Sequence, residues 1–195
     1  MQFRYKILPE FLTKEECDLL LNFSLKNLKL DTATLANTTG EAVKTYDDKG
    51  RKSNIAWYQY YETFPFLYEK LSKVLIDEIS VKGFDLDYLA SPFQFTEYKI
   101  GDYFHWHKDT HGKVVTQEER YCSMVIQLND KYDGGNLELK TPDADILKIE
   151  KRVGDLIIFL SNIEHRVTDV TLGCRYTLVN WVGLKHIDNF KKTLL

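Results

Sequence analysis

The sequence predicts an α+β, mainly β fold: a double-sheet jelly roll (a double-stranded β-helix) of about eight strands, buttressed by N-terminal helices. Three observations predict it. Eight short segments rich in β-branched and aromatic residues follow one another between Pro92 and Gly183, with turn-like pieces between them. Two amphipathic helical patterns precede them, and the chain shows no internal repeat. Many short strands in so little chain close best into two facing sheets, which hide their edges and leave a mouth for a site.

Taken in order, Gln2 to Leu8 alternates like a strand, and Pro9, which has no N–H to offer a ladder, closes it. Thr13 followed by Glu16 forms a capping box that satisfies two orphaned backbone donors and starts a helix. Cys17, Leu20, Leu21, Leu25 and Leu28 recur there at helical spacing and predict its buried stripe. A second helix follows Pro65, with Leu67, Leu71, Val74, Leu75 and Ile79 as its stripe and Gly83 as its C-cap. Between the helices, residues 37–53 (NTTGEAVKTYDDKGRKS) are polar and glycine-containing, which predicts an exposed loop or mobile hairpin. NIAWYQY after it is strand-like.

The eight strand segments are PFQFTEYKI, DYFHWHKD, RYCSMVIQLN, NLELK, DILKIE, DLIIFL, HRVTDV and CRYTLVNWVG. The pieces IGD, DKYDGG, TPDA, RVGD, SNIE and TLG read as the turns. The expected organisation is one domain over residues 1–195: a support with a candidate substrate loop in 1–90, the jelly-roll core in 91–184, and a tail in 185–195.

Composition narrows the function. An apolar share of 44% with 28% charged residues is ordinary for a globular protein and excludes disordered and collagen-like chains. No run approaches the ~18 apolar residues of a membrane helix, so no membrane partner is expected. The net charge of −3 points to no nucleic-acid partner, without excluding a local basic groove. Cys17, Cys122 and Cys174 are odd in number and far apart, which argues against disulfides. With an opening, MQFRYKILPEFL, that lacks the pattern of a secretory signal, this predicts a cytoplasmic setting.

The chemistry gathers around the histidines. His105, His107, His111, His165 and His186 all lie after residue 100, three of them in HWHKDTH with Asp109. Side chains alternate along a strand, so residues 105, 107, 109 and 111 are expected on one side, with His107 and Asp109 aimed into one cavity. The chain between Asp109 and His165 is long enough to bring that second imidazole back. Two imidazoles and one carboxylate on one face of a metal leave three positions open, the pattern of non-haem Fe(II) oxygenases. An H-x-D triplet alone is weak, being more often a solvated pair, and His105 and His111 fit surface or supporting roles as well as ligation. The second half of the pattern adds weight. Arg175 follows His165 by ten residues with TLG between, which places the two on adjacent antiparallel segments. An arginine fork there can hold a carboxylate through paired charge-assisted bonds, and Thr177 on the same face can add a hydroxyl.

At these residues the chain resembles the 2-oxoglutarate and Fe(II)-dependent oxygenases, and within them the prolyl 4-hydroxylase-like branch. That branch carries Y-x-x-G-x-x-Y-x-x-H-x-D; here YKIGDYFHWHKD puts Tyr98, Gly101, Phe104, His107 and Asp109 in register. The stretches RYCSMVIQLNDKYDGGNLEL and GDLIIFLSNIEHRVTDVTLGCRYTLVNWV are similar to its later strands, and ILPEFLTKEECDLLL and RKSNIAW to its N-terminal elements.

The resemblance implies that His107, Asp109 and His165 bind Fe(II) and that Arg175 holds the distal carboxylate of 2-oxoglutarate. It makes Tyr98 and Thr177 hydrogen-bonding helpers and Trp181 an aromatic lining the cofactor pocket. Arg51 and Trp57 are candidate substrate contacts, and residues 37–53 a candidate lid. O2 is the second cosubstrate, with ascorbate as a candidate reductant. The implied reaction hydroxylates an unactivated carbon while 2-oxoglutarate is decarboxylated to succinate. The expected substrate is a prolyl residue in a peptide or protein; alternatives are a free amino acid or small metabolite, or a non-catalytic metal- or metabolite-binding jelly roll. Asp109 stands where related halogenases carry a small residue, which favours hydroxylation. Two departures stand out: Phe104 replaces the branch's tyrosine, and Arg175 the lysine of collagen-type enzymes.

Overall fold

A computed structural model describes residues 4–33, 35–36, 42–43, 50–58, 63–75, 77, 84–85, 92–110, 120–143, 145–183 and 185–186. The N-terminal elements are β1 (Tyr5–Leu8), α1 (Lys14–Asn27), β2 (Asp31–Thr32), β3 (Leu35–Ala36), β4 (Ala42–Val43), β5 (Arg51–Lys52), β6 (Asn54–Trp57), α2 (Pro65–Val74) and β7 (Phe84–Asp85). Then follow β8 (Gln94–Tyr98), β9 (Tyr103–His107), β10 (Arg120–Gln127), β11 (Tyr132–Gly134), β12 (Leu137–Lys140) and β13 (Ile146–Lys148). The chain closes with β14 (Leu156–Leu160), β15 (His165–Val167), β16 (Val170–Gly173), β17 (Arg175–Gly183) and β18 (Lys185–His186).

Two antiparallel sheets face each other. The larger has the order β1-β14-β10-β17-β8-β6-β2 and the smaller β13-β12-β15-β9-β5. The eight segments expected from the sequence are all strands, and they divide evenly: β8, β10, β14 and β17 at the centre of the larger sheet, β9, β12, β13 and β15 in the smaller. This is the jelly roll, extended at its edges by N-terminal strands.

The period-2 alternation of the central strands decides what each side chain does. On β10 and β14, Cys122, Met124, Ile126, Leu156 and Ile158 face outward and pack with Leu20 of α1 and Leu67 and Leu71 of α2. Val125, Ile157 and Phe159 take the opposite phase and pack between the sheets with Leu137, Leu139 and Ile149. The helices thus cover the outer face of the larger sheet, and the inner face is left for a site. Thr13 and Glu16 make the expected reciprocal cap on α1 (3.2 and 2.8 Å), and Lys70 of α2 binds the same Glu16 carboxylate at 2.6 Å, which ties the two helices together. Gly154 docks this layer on the barrel: it sits at φ +87°, and a Cβ there would lie 2.0 Å from the Leu12 carbonyl oxygen.

Four expectations need correction. Leu25 is 46% exposed, and Ser24 takes the buried place because its hydroxyl donates to the Leu20 carbonyl and pairs with the Tyr58 hydroxyl at 2.6 Å. DKYDGG and TLG are not simple turns, since β11 and β16 lie in them and pair with each other. His165 and Arg175 therefore sit on different sheets rather than on adjacent segments, β15 in the smaller and β17 in the larger. The end of the polar segment is not exposed loop: β5 pairs with β9, and Gly50 and Ser53 are buried. Ile79, Gly83 and most of residues 37–49 lie outside the described residues. No helix among the described residues is long and apolar enough to cross a membrane.

Candidate active site

One end of the cavity between the sheets is built by β9. The turn before it has Gly101 at φ +78°, where an added Cβ would meet only Lys52 Nζ at 3.8 Å, so backbone conformation rather than space calls for glycine. β9 pairs with β15 through Phe104↔Val167 and His107↔His165, three steps on β9 against two on β15. This bulge breaks the alternation. Phe104 and His107 share a face, their rings stacked 3.4 Å apart, while His105 is exposed and stacks on Tyr103 instead. The expectation that His105 shares a side with His107 fails for this reason; His111 lies outside the described residues.

Just past β9, the Asp109 N–H donates to the Ser161 carbonyl at 2.8 Å, which turns the carboxylate inward. His107, Asp109 and His165 present ligand atoms all within 4.8 Å of one another. His107 Nε2 lies 3.6 Å from Asp109 Oδ1 and His165 Nε2 3.5 Å from Oδ2. His107 Nδ1 is 2.7 Å from the His105 carbonyl oxygen and His165 Nδ1 3.0 Å from that of Ile163. A ring nitrogen facing a carbonyl carries the proton, so both Nε2 lone pairs face the carboxylate, ready for a metal. Burial, with His165 alongside, pushes the His107 imidazole down to about 4, which keeps it neutral and able to ligate. Burial alone would raise the Asp109 carboxyl; the His165 and His107 imidazoles, then the Ser123 hydroxyl and Trp181 indole, outweigh it and hold it below the usual carboxylate range.

The other end belongs to β17 and β8, where Arg175 pairs with Tyr98 and Thr177 with Thr96. Arg175 is 2% exposed, its guanidinium carbon 5.3 Å from the Tyr98 ring centroid. Its Nε and the Thr177 hydroxyl are buried without a hydrogen-bond partner. Residues 175, 177, 179 and 181 share the inward phase of β17, and all four line a cavity of about 440 Å³, open solvent at its entrance included, with the His–Asp–His cluster. Tyr98 lines it too.

At the mouth, Arg51 donates to Ser53 Oγ (2.7 Å) and Gln94 Oε1 (3.1 Å) and lies over the Phe104 ring. Trp57 is 38% exposed and tilts against Trp181, 6.2 Å between centroids. Trp181 lines the cavity and also donates its indole N–H to Asp109 Oδ2 at 2.9 Å. Sequence reasoning missed Arg120, whose guanidinium sits 3.9 Å over the Trp181 ring and whose Nε has no partner. It also missed Ser123, 2.6 Å from Asp109 Oδ2. A hydroxyl in the apolar run of RYCSMVIQLN was the available signal.

The family model of the 2OG-Fe(II) oxygenase superfamily matches residues 93–183. These residues form a 2OG-Fe(II) oxygenase domain. A PKHD-type hydroxylase of Synechococcus sp. is 25% identical over 112 residues, 57% of this chain and 50% of that protein. Another, from Teredinibacter turnerae, is 30% identical over 110 residues, 53% of this chain and 48% of its own. The chain thus spans about half the length of the curated relatives it matches. Among solved structures, a prolyl-4-hydroxylase of Pseudomonas putida superposes with a TM-score of 0.65 at 18% identity, covering 92% of this chain and 91% of that one. A prolyl hydroxylase of Trichoplax adhaerens, solved with a peptide fragment of hypoxia inducible factor, gives 0.69 at 18% identity over 97% and 86%. At these identities the likeness is one of fold.

The superfamily's cofactors, Fe(II) and 2-oxoglutarate, fit what the oxygenase domain offers. Two imidazoles and a carboxylate suit Fe(II) and would leave three positions open. A buried guanidinium nitrogen and a buried hydroxyl, both unpaired, are costly unless a ligand satisfies them, and a carboxylate does so.

Proposed function

We propose that this chain is an Fe(II)- and 2-oxoglutarate-dependent hydroxylase of an unactivated C–H bond, acting on a prolyl residue in a peptide or protein. The observation that carries the reading is one cavity with a His107–Asp109–His165 cluster at one end and unpaired Arg175 and Thr177 groups at the other. His107, Asp109 and His165 hold the metal; Arg175 binds the far carboxylate of 2-oxoglutarate, with Thr177 and Tyr98 beside it. Bound Fe(II), with 2-oxoglutarate and O2, supplies the oxidising chemistry that yields succinate and a hydroxylated carbon. The protein's part is to fix both ends and to keep water out with Phe104, Val125, Phe159 and Val179. Substrate enters between Arg51 and Phe104 on one side and Trp57, Trp181 and Arg120 on the other. Arg51, near the end of residues 37–53, lines the cavity. The peptide assignment leans on the prolyl hydroxylases that share the fold. Three free thiols support a reducing, cytoplasmic setting.

A free amino acid is the second reading, favoured by Arg120, whose guanidinium lies over the cavity-lining Trp181 and whose buried Nε is unpaired, so that it could serve a substrate carboxylate. The test is an anaerobic titration with Fe(II), then 2-oxoglutarate, watching for a visible charge-transfer band, followed by succinate release with proline-containing peptides and free amino acids side by side. A band with peptide-dependent succinate is expected. No band despite tight Fe(II) binding would sink the hydroxylase and leave a metal-binding jelly roll.

A further inference from the structure

We infer that Ser123 and Trp181 are positioning residues that reserve one oxygen of Asp109, Oδ1, for the metal. The inference rests on the hydroxylase reading and goes beyond it, to how the carboxylate is presented.

Oδ2 accepts two hydrogen bonds, from the Ser123 hydroxyl at 2.6 Å and the Trp181 indole N–H at 2.9 Å. A carboxylate oxygen has two lone-pair sites, so these donors fill Oδ2. Each oxygen faces one imidazole, His107 Nε2 at 3.6 Å from Oδ1 and His165 Nε2 at 3.5 Å from Oδ2, so what sets Oδ1 apart is that it has no donor within hydrogen-bond distance among the described residues. The convergence follows from register. Ser123 of β10 and Trp181 of β17 are direct cross-strand partners on the inward phase, so both reach the same atom.

The proton order also follows. A hydroxyl has one proton, and Ser123 gives it to the carboxylate. Ser161 Oγ, 3.0 Å from Ser123 Oγ, must then be the donor in that pair. The result is a directed chain, Ser161 to Ser123 to Asp109, in which each bond polarises the next. Its consequence is single-oxygen ligation. Two imidazoles and one oxygen would use three positions of six and leave three for 2-oxoglutarate and O2. A carboxylate bound through both oxygens would occupy the position that O2 needs.

The test uses the full chain under anaerobic conditions, reading Fe(II) affinity and the position of the Fe(II)–2-oxoglutarate band. Ser123→Ala is expected to lose about 10- to 100-fold in Fe(II) affinity, as removal of such partners does, and to shift the band. Ser123→Thr keeps the hydroxyl and should restore both. Trp181→Phe keeps a ring but not the N–H and should repeat the loss, which covers the case of a Ser123→Ala protein that does not fold. Ser161→Ala removes an equally buried hydroxyl one link further from Asp109, and is expected to cost clearly less than Ser123→Ala. Equal losses in Ser161→Ala and Ser123→Ala would overturn the positioning role, as would wild-type affinity with an unmoved band in Ser123→Ala. A wild-type chain that binds no Fe(II) would instead overturn the hydroxylase reading and this inference with it.

Discussion

The two ends of the cavity solve opposite problems. At the metal end the atoms that orient the cluster are already satisfied: both imidazole Nδ1 atoms meet carbonyls, and Asp109 Oδ2 holds two donors. At the anion end, Arg175 Nε and Thr177 Oγ1 are buried with nothing to bond. The first end is organised before anything binds. The second carries the cost of unmet hydrogen bonds, on the order of 1–3 kcal/mol for a buried group, until a ligand removes it. Metal affinity should therefore be lost by removing a ligand, and cosubstrate affinity by removing a charge that the empty fold would be as stable without.

The largest expected effect is at the metal end. His165→Ala removes one of the three proposed ligands and leaves only His107 and Asp109 to hold the metal. Fe(II) binding and turnover should both disappear. Calorimetry with Fe(II) under anaerobic conditions checks this, and retained binding would show that the metal is held elsewhere.

The second effect sharpens the contrast. Arg175→Met replaces a buried charge by an apolar chain of similar length. Affinity for 2-oxoglutarate should fall roughly 100-fold or more, the usual cost of losing one partner of a buried charge pair. Fe(II) affinity should hold, and the thermal midpoint of the ligand-free protein should stay level or rise, because replacing a poorly compensated buried charge by an apolar group is often neutral or stabilising. A drop in that midpoint would mean Arg175 supports the fold, and the two ends would not differ as argued.

Much of this was legible from residues alone, and the parts that were not share a cause. The eight central strands announce themselves because apolar runs of period 2, broken by Gly, Asp and Pro, have few other uses. That His107, Asp109, His165 and Arg175 share one cavity was legible because their residue types and order are specific. Strands β11 and β16 were hidden because they are short and end in glycine, and that error put His165 and Arg175 on neighbouring segments instead of facing sheets. The bulge at Phe104–His107 was invisible for a related reason: one extra residue exists only relative to the partner strand. Ser123 reads as filler in a strand until its register with Trp181 is known. Leu25 and Ser24 exchange places because of a hydroxyl on a distant tyrosine. Periodicity reports what a strand or helix is; pairing decides what its polar side chains do.

The smallest expected effect lies at the boundary between the two ends. Phe104 stacks on His107, lines the cavity and has the Arg51 guanidinium 4.8 Å from its ring centre. The related branch carries tyrosine at this place, so Phe104→Tyr adds back a hydroxyl. The ring itself is what packs the metal ligand, and tyrosine keeps it, so Fe(II) affinity should not change. The new hydroxyl gains at most one net hydrogen bond, worth about 1 kcal/mol, to a cavity that already supplies Arg175 and Thr177. A rise in 2-oxoglutarate affinity of no more than about 5-fold is expected, measured from the band at fixed Fe(II). A much larger gain would place Phe104, not only Arg175, at the anion end, and would show that this chain binds its cosubstrate weakly for want of one oxygen atom.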